Sequence, residues 1–165
     1  IIEKNMEQIG GSALTDNRIA VPDGDTERAD IPVTYVPARN LIFLSYAPGY
    51  AEVLGASCIY IGVNAVDYSG YPDCRPEFIA KFQELADHAT KATAAEHREI
   101  EVVIPLQELS KKDIVLLGTK LGAPLQFTHS CYKGGEKACG ICDSCKLRLR
   151  GFAEAGIKDP VEYEE

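Results

Sequence analysis

Residues 58–63 read CIYIGV, and this stretch indicates the fold class. It is a short, continuous apolar run rich in β-branched residues, which is typical of a strand buried on both faces. Strands of that kind belong to parallel sheets whose faces are covered by helices. The stretch therefore predicts a parallel sheet in this part of the chain.

Downstream of this strand, helical and strand patterns alternate. Residues 76–92 (PEFIAKFQELADHATKA) carry apolar side chains at helical spacing and begin with proline, whose missing N–H costs nothing in a first turn. Residues 100–106 (IEVVIPL) are the next predicted strand, and the capping-box pattern SKKD at 110–113 starts a helix that closes at Gly122. This order predicts an α/β fold of βαβ units with helices on both faces of the sheet, in one domain over residues 1–165.

The chain upstream of the strand begins with irregular sequence. IIEKN at 1–5 is a weak strand candidate, and residues 10–32, rich in Gly, Asp and Pro, form a long loop. Residues 40–55 (NLIFLSYAPGYAEVLG) are apolar nearly all round and predict a buried helix, with Asn40 as its N-cap and Gly55 as its stop. Pro48 is expected to kink or break that helix. The acidic end VEYEE at 161–165 is a predicted solvated tail.

The charge balance counts against nucleic acids as partners. The chain has 165 residues, and 17 Lys and Arg against 25 Asp and Glu give a net charge of -8, which disfavours a general nucleic-acid binder. No apolar run is long enough to cross a bilayer, and the N-terminus has no signal-peptide pattern. We predict a soluble, cytoplasmic protein whose partner is a small molecule or a protein.

Four of the six cysteines cluster near the C-terminus, in a pattern that predicts a metal site. Cys139, Cys142 and Cys145 are each separated by two residues, and Cys131 precedes them across the stretch YKGGEKA. Four thiolates suit a tetrahedral zinc ion, and a site with no open ligand position is structural. A disulfide framework is disfavoured because no secretion signal is present, and an iron–sulfur cluster stays as an alternative.

Two other stretches combine polar groups in positions typical of ligand sites. Residues 66–78 (VDYSGYPDCRPEF) follow the buried strand, and ligands bind at the carboxyl ends of strands in open α/β sheets. Residues 35–40 (YVPARN) place Arg39 at the start of the buried helix, where it can face a phosphate or carboxylate. A plain connecting loop and a surface arginine remain the alternative interpretations.

Taken together, four stretches resemble the 7-cyano-7-deazaguanine synthase family: residues 35–40, 66–78, 130–148 (SCYKGGEKACGICDSCKLR) and 151–160 (GFAEAGIKDP). The resemblance implies a Rossmann-like fold of the adenine nucleotide alpha hydrolase type, with zinc on the four cysteines. It also implies an ATP-dependent ligase that converts 7-carboxy-7-deazaguanine and ammonia to the nitrile. ATP is the co-substrate, together with Mg²⁺, and the implied assembly is a homodimer without nucleic-acid or membrane partners.

Donor and acceptor logic suggests roles for the polar residues. A deazaguanine ring presents N–H donors, so Asp67 or Asp73 is the expected acceptor, and Tyr68 or Tyr71 can stack on the ring. Arg75 or Arg39 can hold the substrate carboxylate or the adenylate phosphate. The catalytic candidates are Arg39, Asp67 and Arg75. The substrate-binding candidates are Tyr68, Ser69, Tyr71 and Asp73.

The sequence departs from the family pattern at one motif. The Ser-Gly-Gly-x-Asp-Ser nucleotide loop of the family is absent from the 165 residues, and IGGSALTD at 9–16 does not match it. We therefore expect that the N-terminal nucleotide-loop portion is missing, that the cofactor-binding residues lie outside this sequence, and that the chain as given is inactive. The alternatives are a zinc-stabilised binding or assembly module and a diverged relative that adenylates a protein carboxylate.

Overall fold

The computed structural model of the protein describes residues 1–26, 30–64 and 70–164. The chain divides into two compact units, one formed by Ile1–Pro37 with Leu109–Glu165 and the other by Ala38–Glu108. The first unit contains the four clustered cysteines and the weak strand candidate at residues 1–5, and the second contains the predicted strands at 58–63 and 100–106. The described part of the chain contains no helix with the length and apolarity of a membrane span.

The sheet lies in the second unit and is small. Strands β1 (Cys58–Tyr60) and β2 (Glu101–Val103) pair in parallel, with Cys58 opposite Glu101 and Tyr60 opposite Val103. The predicted parallel pairing is confirmed, but both strands are shorter than predicted. Burial of the first strand on both faces was wrong, because Tyr60 is 69% exposed. Within the described residues the sheet has only these two strands, so β1 pairs with a neighbour along one edge only.

Helix α1 (Arg39–Leu54) precedes β1 and begins differently from the prediction. Its N-cap is Ala38, in the left-handed region at φ 53°, and not Asn40. Asn40 lies inside the first turn, where its backbone N–H donates to Asp73 Oδ2 at 2.8 Å. The predicted stop at Gly55 is confirmed by its left-handed conformation, which lets the chain leave the helix without a Cβ clash.

Pro48 does not break α1. The helix continues through it for six further residues to Leu54, although proline supplies no N–H to the carbonyl of Leu44. The buried residues of the helix are Asn40, Leu44, Pro48 and Ala51, which lie along one side of it. Burial all round was therefore also wrong. Ile42 is half-buried, and six other large apolar side chains of the helix are exposed: Leu41, Phe43, Tyr46, Tyr50, Val53 and Leu54.

Helix α2 (Pro76–Ala86) confirms the predicted amphipathic helix and supplies much of the core of this unit. Ile79, Phe82 and Ala86 are buried against Val63 and Val102. The helix ends earlier than the pattern at 76–92 predicted. A short helix α3 (Lys91–Ala94) follows instead, started by a capping box between Thr90 and Thr93.

A glutamine of α2 closes the outer edge of β2. The Gln83 carboxamide accepts the N–H of Val102 at 2.6 Å and donates to the carbonyl of Ile100 at 3.1 Å. A neighbouring strand would satisfy the same two backbone groups. Gln83 thus protects this edge from pairing with another chain.

The first unit contains helices α4 (Lys111–Lys120) and α5 (Asp143–Ala155), which pack together. The predicted capping box is confirmed, since Ser110 caps α4 and exchanges hydrogen bonds with Asp113. Helix α5 was not predicted, because the cysteine spacing suggested a loop there. At Gly151 the two helices approach so closely that an added Cβ would lie 2.8 Å from Lys111 Cβ.

Two predictions for the chain termini were wrong. Residues 1–5 form no strand, and the structure describes no strand of this unit with which they could pair. The acidic end is not a simple solvated tail, because Tyr163 forms a parallel bridge with Ala138. Ala138 donates to the carbonyl of Glu162 and accepts from the N–H of Glu164, both at 2.9 Å.

Candidate functional site

The four clustered cysteines converge on one point in the first unit. Cys131 lies four residues after the short helical turn Leu125–Phe127, and Cys139 follows the bridge at Ala138. Cys142 is the N-cap of α5, and Cys145 lies in its first turn. Their Sγ atoms all lie within 4.8 Å of one another, and Cys142 and Cys145 are fully buried. The spacing prediction that these four side chains meet is therefore correct.

The dimensions of the cluster fit a four-sulfur metal site. Tetrahedral zinc with Zn–S bonds of about 2.3 Å separates its sulfur ligands by roughly 3.8 Å. The Sγ atoms of Cys139 and Cys145 are 4.0 Å apart, and none of the six cysteines, all of which lie in the described ranges, is part of a disulfide. Four sulfurs leave no open position for water or substrate, so such a site holds structure and does not carry out a reaction.

Backbone hydrogen bonds prepare this cluster for a cation. The N–H of Cys139 donates to Cys131 Sγ and that of Cys142 to Cys139 Sγ, both at 3.4 Å. Burial raises the pKa of Cys131, but hydrogen bonds from the backbone N–H groups of Cys139, Lys133 and Gly134 and from the Cys139 side chain outweigh it and lower that pKa to about 6. Burial and the hydrogen bond with Cys142 raise the pKa of Cys145. A divalent cation favours the thiolate form of both.

A segment of the long loop packs directly on the cluster. Val21 lies against the cysteines, and the N–H of Gly24 donates to the carbonyl of Ile141 at 2.7 Å. Lys146 Nζ donates to the carbonyl of Gly24, also at 2.7 Å. These contacts were not predicted, because nothing in the residues PDGD at 22–25 indicates a partner more than a hundred residues away.

The basic residues around the cluster each contact an oxygen that is not part of it. Their charge is therefore shared with carboxylates and a carbonyl as well as with the thiolates. The contacts pair Lys133 with Asp23, Lys137 with Glu162, Lys146 with the Gly24 carbonyl, Arg148 with Asp159 and Arg150 with Glu154.

The candidate substrate residues fall in the second unit. Asp67, Tyr68 and Ser69 lie outside the described residues. The Arg39 guanidinium carbon lies 6.0 Å from the centre of the Tyr71 ring, at the limit of a cation–π contact. This geometry brings together one residue from each of the two polar stretches.

Asp73 and Arg75, which follow Tyr71 in the sequence, lie in different environments. Asp73 is buried, and its Oδ2 accepts the backbone N–H of Asn40, so one oxygen of the carboxylate caps the start of α1. The Asn40 side chain donates to the Asp73 carbonyl at 3.3 Å and lies 3.0 Å from Cys74 Sγ. Arg75 is exposed and is the N-cap of α2. Asn40 therefore joins the two polar stretches, a role that its predicted capping function did not include.

Comparison with known proteins gives the same family as the resemblance of the motifs. The model of the family described as Queuosine biosynthesis protein QueC matches residues 1–156. The proteins with matching sequences are longer than this chain, which spans 67–71% of the length of the three relatives described below.

Three relatives illustrate the similarity. The 7-cyano-7-deazaguanine synthase 2 of Desulfitobacterium hafniense (strain Y51) is 61% identical over 96% of this chain and 67% of its own length. The 7-cyano-7-deazaguanine synthase of Acetivibrio thermocellus is 60% identical over 95% of this chain and 70% of its own. That of Pseudomonas syringae pv. syringae is 58% identical over 99% of this chain and 71% of its own. The chain therefore belongs to the queuosine biosynthesis protein QueC family.

Proposed function

We propose that this protein functions in the synthesis of 7-cyano-7-deazaguanine, as an ATP-dependent ligase acting on 7-carboxy-7-deazaguanine and ammonia. The observation that carries the proposal is the identity of 58–61% to synthases of that name over 95–99% of this chain. An identity this high, spread over both compact units, favours the ligase over a separate binding module. It also favours a deazapurine substrate over a protein carboxylate.

The proposed fold is larger than the two-stranded sheet of the described residues. Strands β1 and β2 are two parallel neighbours of a Rossmann-like sheet with helices on both faces, and residues 1–165 form one α/β domain. The parallel register supports this, because parallel strands need helical crossovers such as the one that contains α2. The homodimer and the cytoplasmic location implied by the resemblance belong to the same proposal.

The chemistry follows from the substrate. A carboxylate is a poor electrophile, so ATP first transfers AMP to a carboxylate oxygen and releases pyrophosphate. Ammonia then attacks the acyl carbon, AMP leaves with that oxygen, and an amide results after loss of a proton. A second ATP activates the amide oxygen in the same way. Loss of AMP and two protons then leaves the carbon–nitrogen triple bond.

In this proposal, the side chains of the second unit bind the substrate. The Arg39 guanidinium holds the substrate carboxylate or the adenylate phosphate, and Tyr71 beside it offers a face to the ring. Arg75, exposed at the start of α2, is a second candidate for the anion. Asp73 uses one oxygen to cap α1, which leaves the other for ring N–H donors. Asp67, Tyr68 and Ser69 complete the proposed set.

In the first unit, Cys131, Cys139, Cys142 and Cys145 are proposed to hold one structural zinc ion. When bound, zinc supplies a tetrahedral cross-link between the segments before α5 and its first turn. Mg²⁺ is proposed only as the counter-ion of ATP.

Substrate binding tests this function without depending on the nucleotide loop motif, which the 165 residues lack. We expect calorimetry to detect binding of 7-carboxy-7-deazaguanine and much weaker binding of 7-deazaguanine, which has no carboxylate. Arg39→Ala should weaken binding of the carboxylate compound by roughly 10–100-fold, since a charge-assisted hydrogen bond is lost.

Lys81→Ala is the matched control, because it removes an exposed positive charge from α2 at no proposed site. It should leave the affinity unchanged. Equal binding of both compounds, or of neither, would contradict the proposed function.

A further inference from the structure

We propose that Arg148 and Asp159 position the four-cysteine centre and set how slowly it releases its metal ion. The inference rests on the proposed zinc site and goes beyond it, because neither residue is a ligand. Both lie in the first unit, where Arg148 is on α5, three residues after Cys145. The pair connects three of the segments that carry the cysteines.

The Arg148–Asp159 contact itself is a buried, two-point ion pair. Arg148 Nε donates to Asp159 Oδ2 at 2.7 Å, and Nη2 donates to Oδ1 at 2.8 Å. The side chains are only 11% and 4% exposed. Planar two-point contacts of this kind fix orientation as well as distance. The position of Asp159 relative to α5 is therefore well defined.

Arg148 also holds the segment before Cys131. Its Nη1 donates to Thr128 Oγ1 at 2.7 Å and to Ser130 Oγ at 3.4 Å. Its Nη2 donates in addition to the carbonyl of Leu125 at 3.4 Å. Ser130 is the residue directly before Cys131, so the guanidinium links that ligand to the helix that carries Cys145.

Asp159 holds the segment before Cys139. Its Oδ2 accepts the hydroxyl of Tyr163 at 2.7 Å, and Tyr163 packs against the cysteine cluster. Tyr163 also bridges to Ala138, the residue directly before Cys139. The Asp159 carboxylate thus connects Arg148 on α5, through Tyr163, to the segment that carries Cys139.

These contacts connect Cys131, Cys139 and Cys145 through one ion pair. Four thiolates repel one another, so the segments that carry them separate unless other contacts hold them. Groups that are held in place beforehand lose less entropy when they bind. Substitution of residues that hold metal ligands in place typically lowers metal affinity by about 10–100-fold.

Three variants test the role of the pair at different strengths. Asp159→Asn removes the charge, Arg148→Lys removes the two-point geometry, and Tyr163→Phe removes one hydroxyl while keeping the ring against the cysteines. The last change is the mildest and provides a variant that folds if the first two do not. Arg150→Lys with Glu154→Gln is the matched control, an exposed pair at 3.9 Å on the same helix.

The measurement is the rate at which the zinc-loaded protein passes its ion to a chromophoric chelator, with the cobalt-substituted absorption spectrum as a second readout. We expect roughly 10–100-fold faster release from Asp159→Asn and Arg148→Lys, a smaller increase from Tyr163→Phe, and the parent rate from the control. The cobalt bands should shift or broaden in the same order.

Loss of stability alone would not produce this pattern. Variants that unfold at lower urea yet release zinc at the parent rate, with unchanged cobalt spectra, would overturn the inference and leave the metal site standing. A parent protein that binds no zinc or cobalt would overturn the proposed site itself.

Discussion

The backbone N–H of Gly24 donates a 2.7 Å hydrogen bond to the carbonyl oxygen of Ile141, the residue directly before Cys142. The contact joins the long loop to the cysteine segment across more than a hundred residues of sequence. A Cβ placed on Gly24 would lie 2.5 Å from the backbone nitrogen of Asp143, so only glycine fits this approach. We therefore expect a side chain larger than hydrogen at position 24 to displace the loop from the cysteine segment.

Gly24→Ala should displace the loop from the cysteine segment. Because the nearest atoms are backbone and cannot rotate away, we expect a loss of about 1–3 kcal/mol in unfolding free energy. Urea unfolding measures this loss, and hydrogen exchange should increase at residues 21–25. Gly62→Ala is the control, since its added Cβ meets no atom of the described residues within 4 Å. Equal stability of Gly24→Ala and the parent would show that the loop does not pack as described.

Two helix-interior glycines should respond to alanine with opposite signs. Gly151→Ala places a Cβ 2.8 Å from Lys111 Cβ and 3.1 Å from its carbonyl carbon, so α4 and α5 must separate and about 1–3 kcal/mol is lost. Gly49→Ala adds a Cβ in α1 with no atom of the described ranges within 4 Å, and it should gain about 0.5–1 kcal/mol from the lower entropy of the unfolded chain. Thermal unfolding of both variants checks the signs, and a shared sign would contradict the structure at one site.

Gln83→Leu should expose the outer edge of β2. The N–H of Val102 and the carbonyl of Ile100 then lose their partners, and we expect a loss of about 2 kcal/mol in unfolding free energy. Light scattering should also show more association, because a free strand edge can pair with another chain. Glu84→Leu makes a similar change at the next, exposed position and should affect stability little. Equal effects of the two changes would rule out an edge-capping role for Gln83.

Asp73→Asn separates the two roles of this carboxylate. Asparagine keeps an oxygen that can accept the Asn40 N–H, so the start of α1 should remain stable, whereas Asp73→Ala should lose about 1 kcal/mol. If the charge of Asp73 also binds ring donors, both changes weaken 7-carboxy-7-deazaguanine binding, by roughly 10–100-fold for the alanine. Calorimetry that finds full affinity in both variants would restrict Asp73 to capping.

Stability should depend on pH through Asp159. Burial raises its pKa, but hydrogen bonds from Arg148 and Tyr163 outweigh this and hold the pKa below its ordinary value of 3.8. A carboxyl with a depressed folded pKa stabilises the fold above its unfolded pKa and loses that contribution as pH falls through the folded value. Asp159→Asn should therefore be less stable than the parent near neutral pH, and the difference should shrink below 3.8. A difference that stays constant across that range would contradict the ion pair.

Local features of the fold could be predicted from the sequence. The capping box at Ser110, the proline start of α2 and the glycine stop of α1 depend on neighbouring residues, and all three are confirmed. The length and the burial of the strands were predicted poorly. Whether a strand residue such as Tyr60 is buried depends on which other elements pack beside β1. That information is not contained in the apolar run itself.

In the candidate site, too, local features could be predicted and contacts between distant residues could not. Cysteine spacing was sufficient to bring four sulfurs together, since the residues are close in sequence. Gly24, Asp159 and Tyr163 were missed because each acts through a partner distant in sequence or through a backbone group. Asp73 was singled out as a ligand residue, yet its contact with Asn40 depends on two segments meeting in space.

The metal content of freshly purified protein shows whether Cys131, Cys139, Cys142 and Cys145 form a structural zinc site. Elemental analysis should find one zinc ion per chain and no iron, and Cys142→Ser should lose the ion and loosen the segment around α5. Protein with far less than one zinc per chain, or with an iron–sulfur absorption spectrum, would contradict the account.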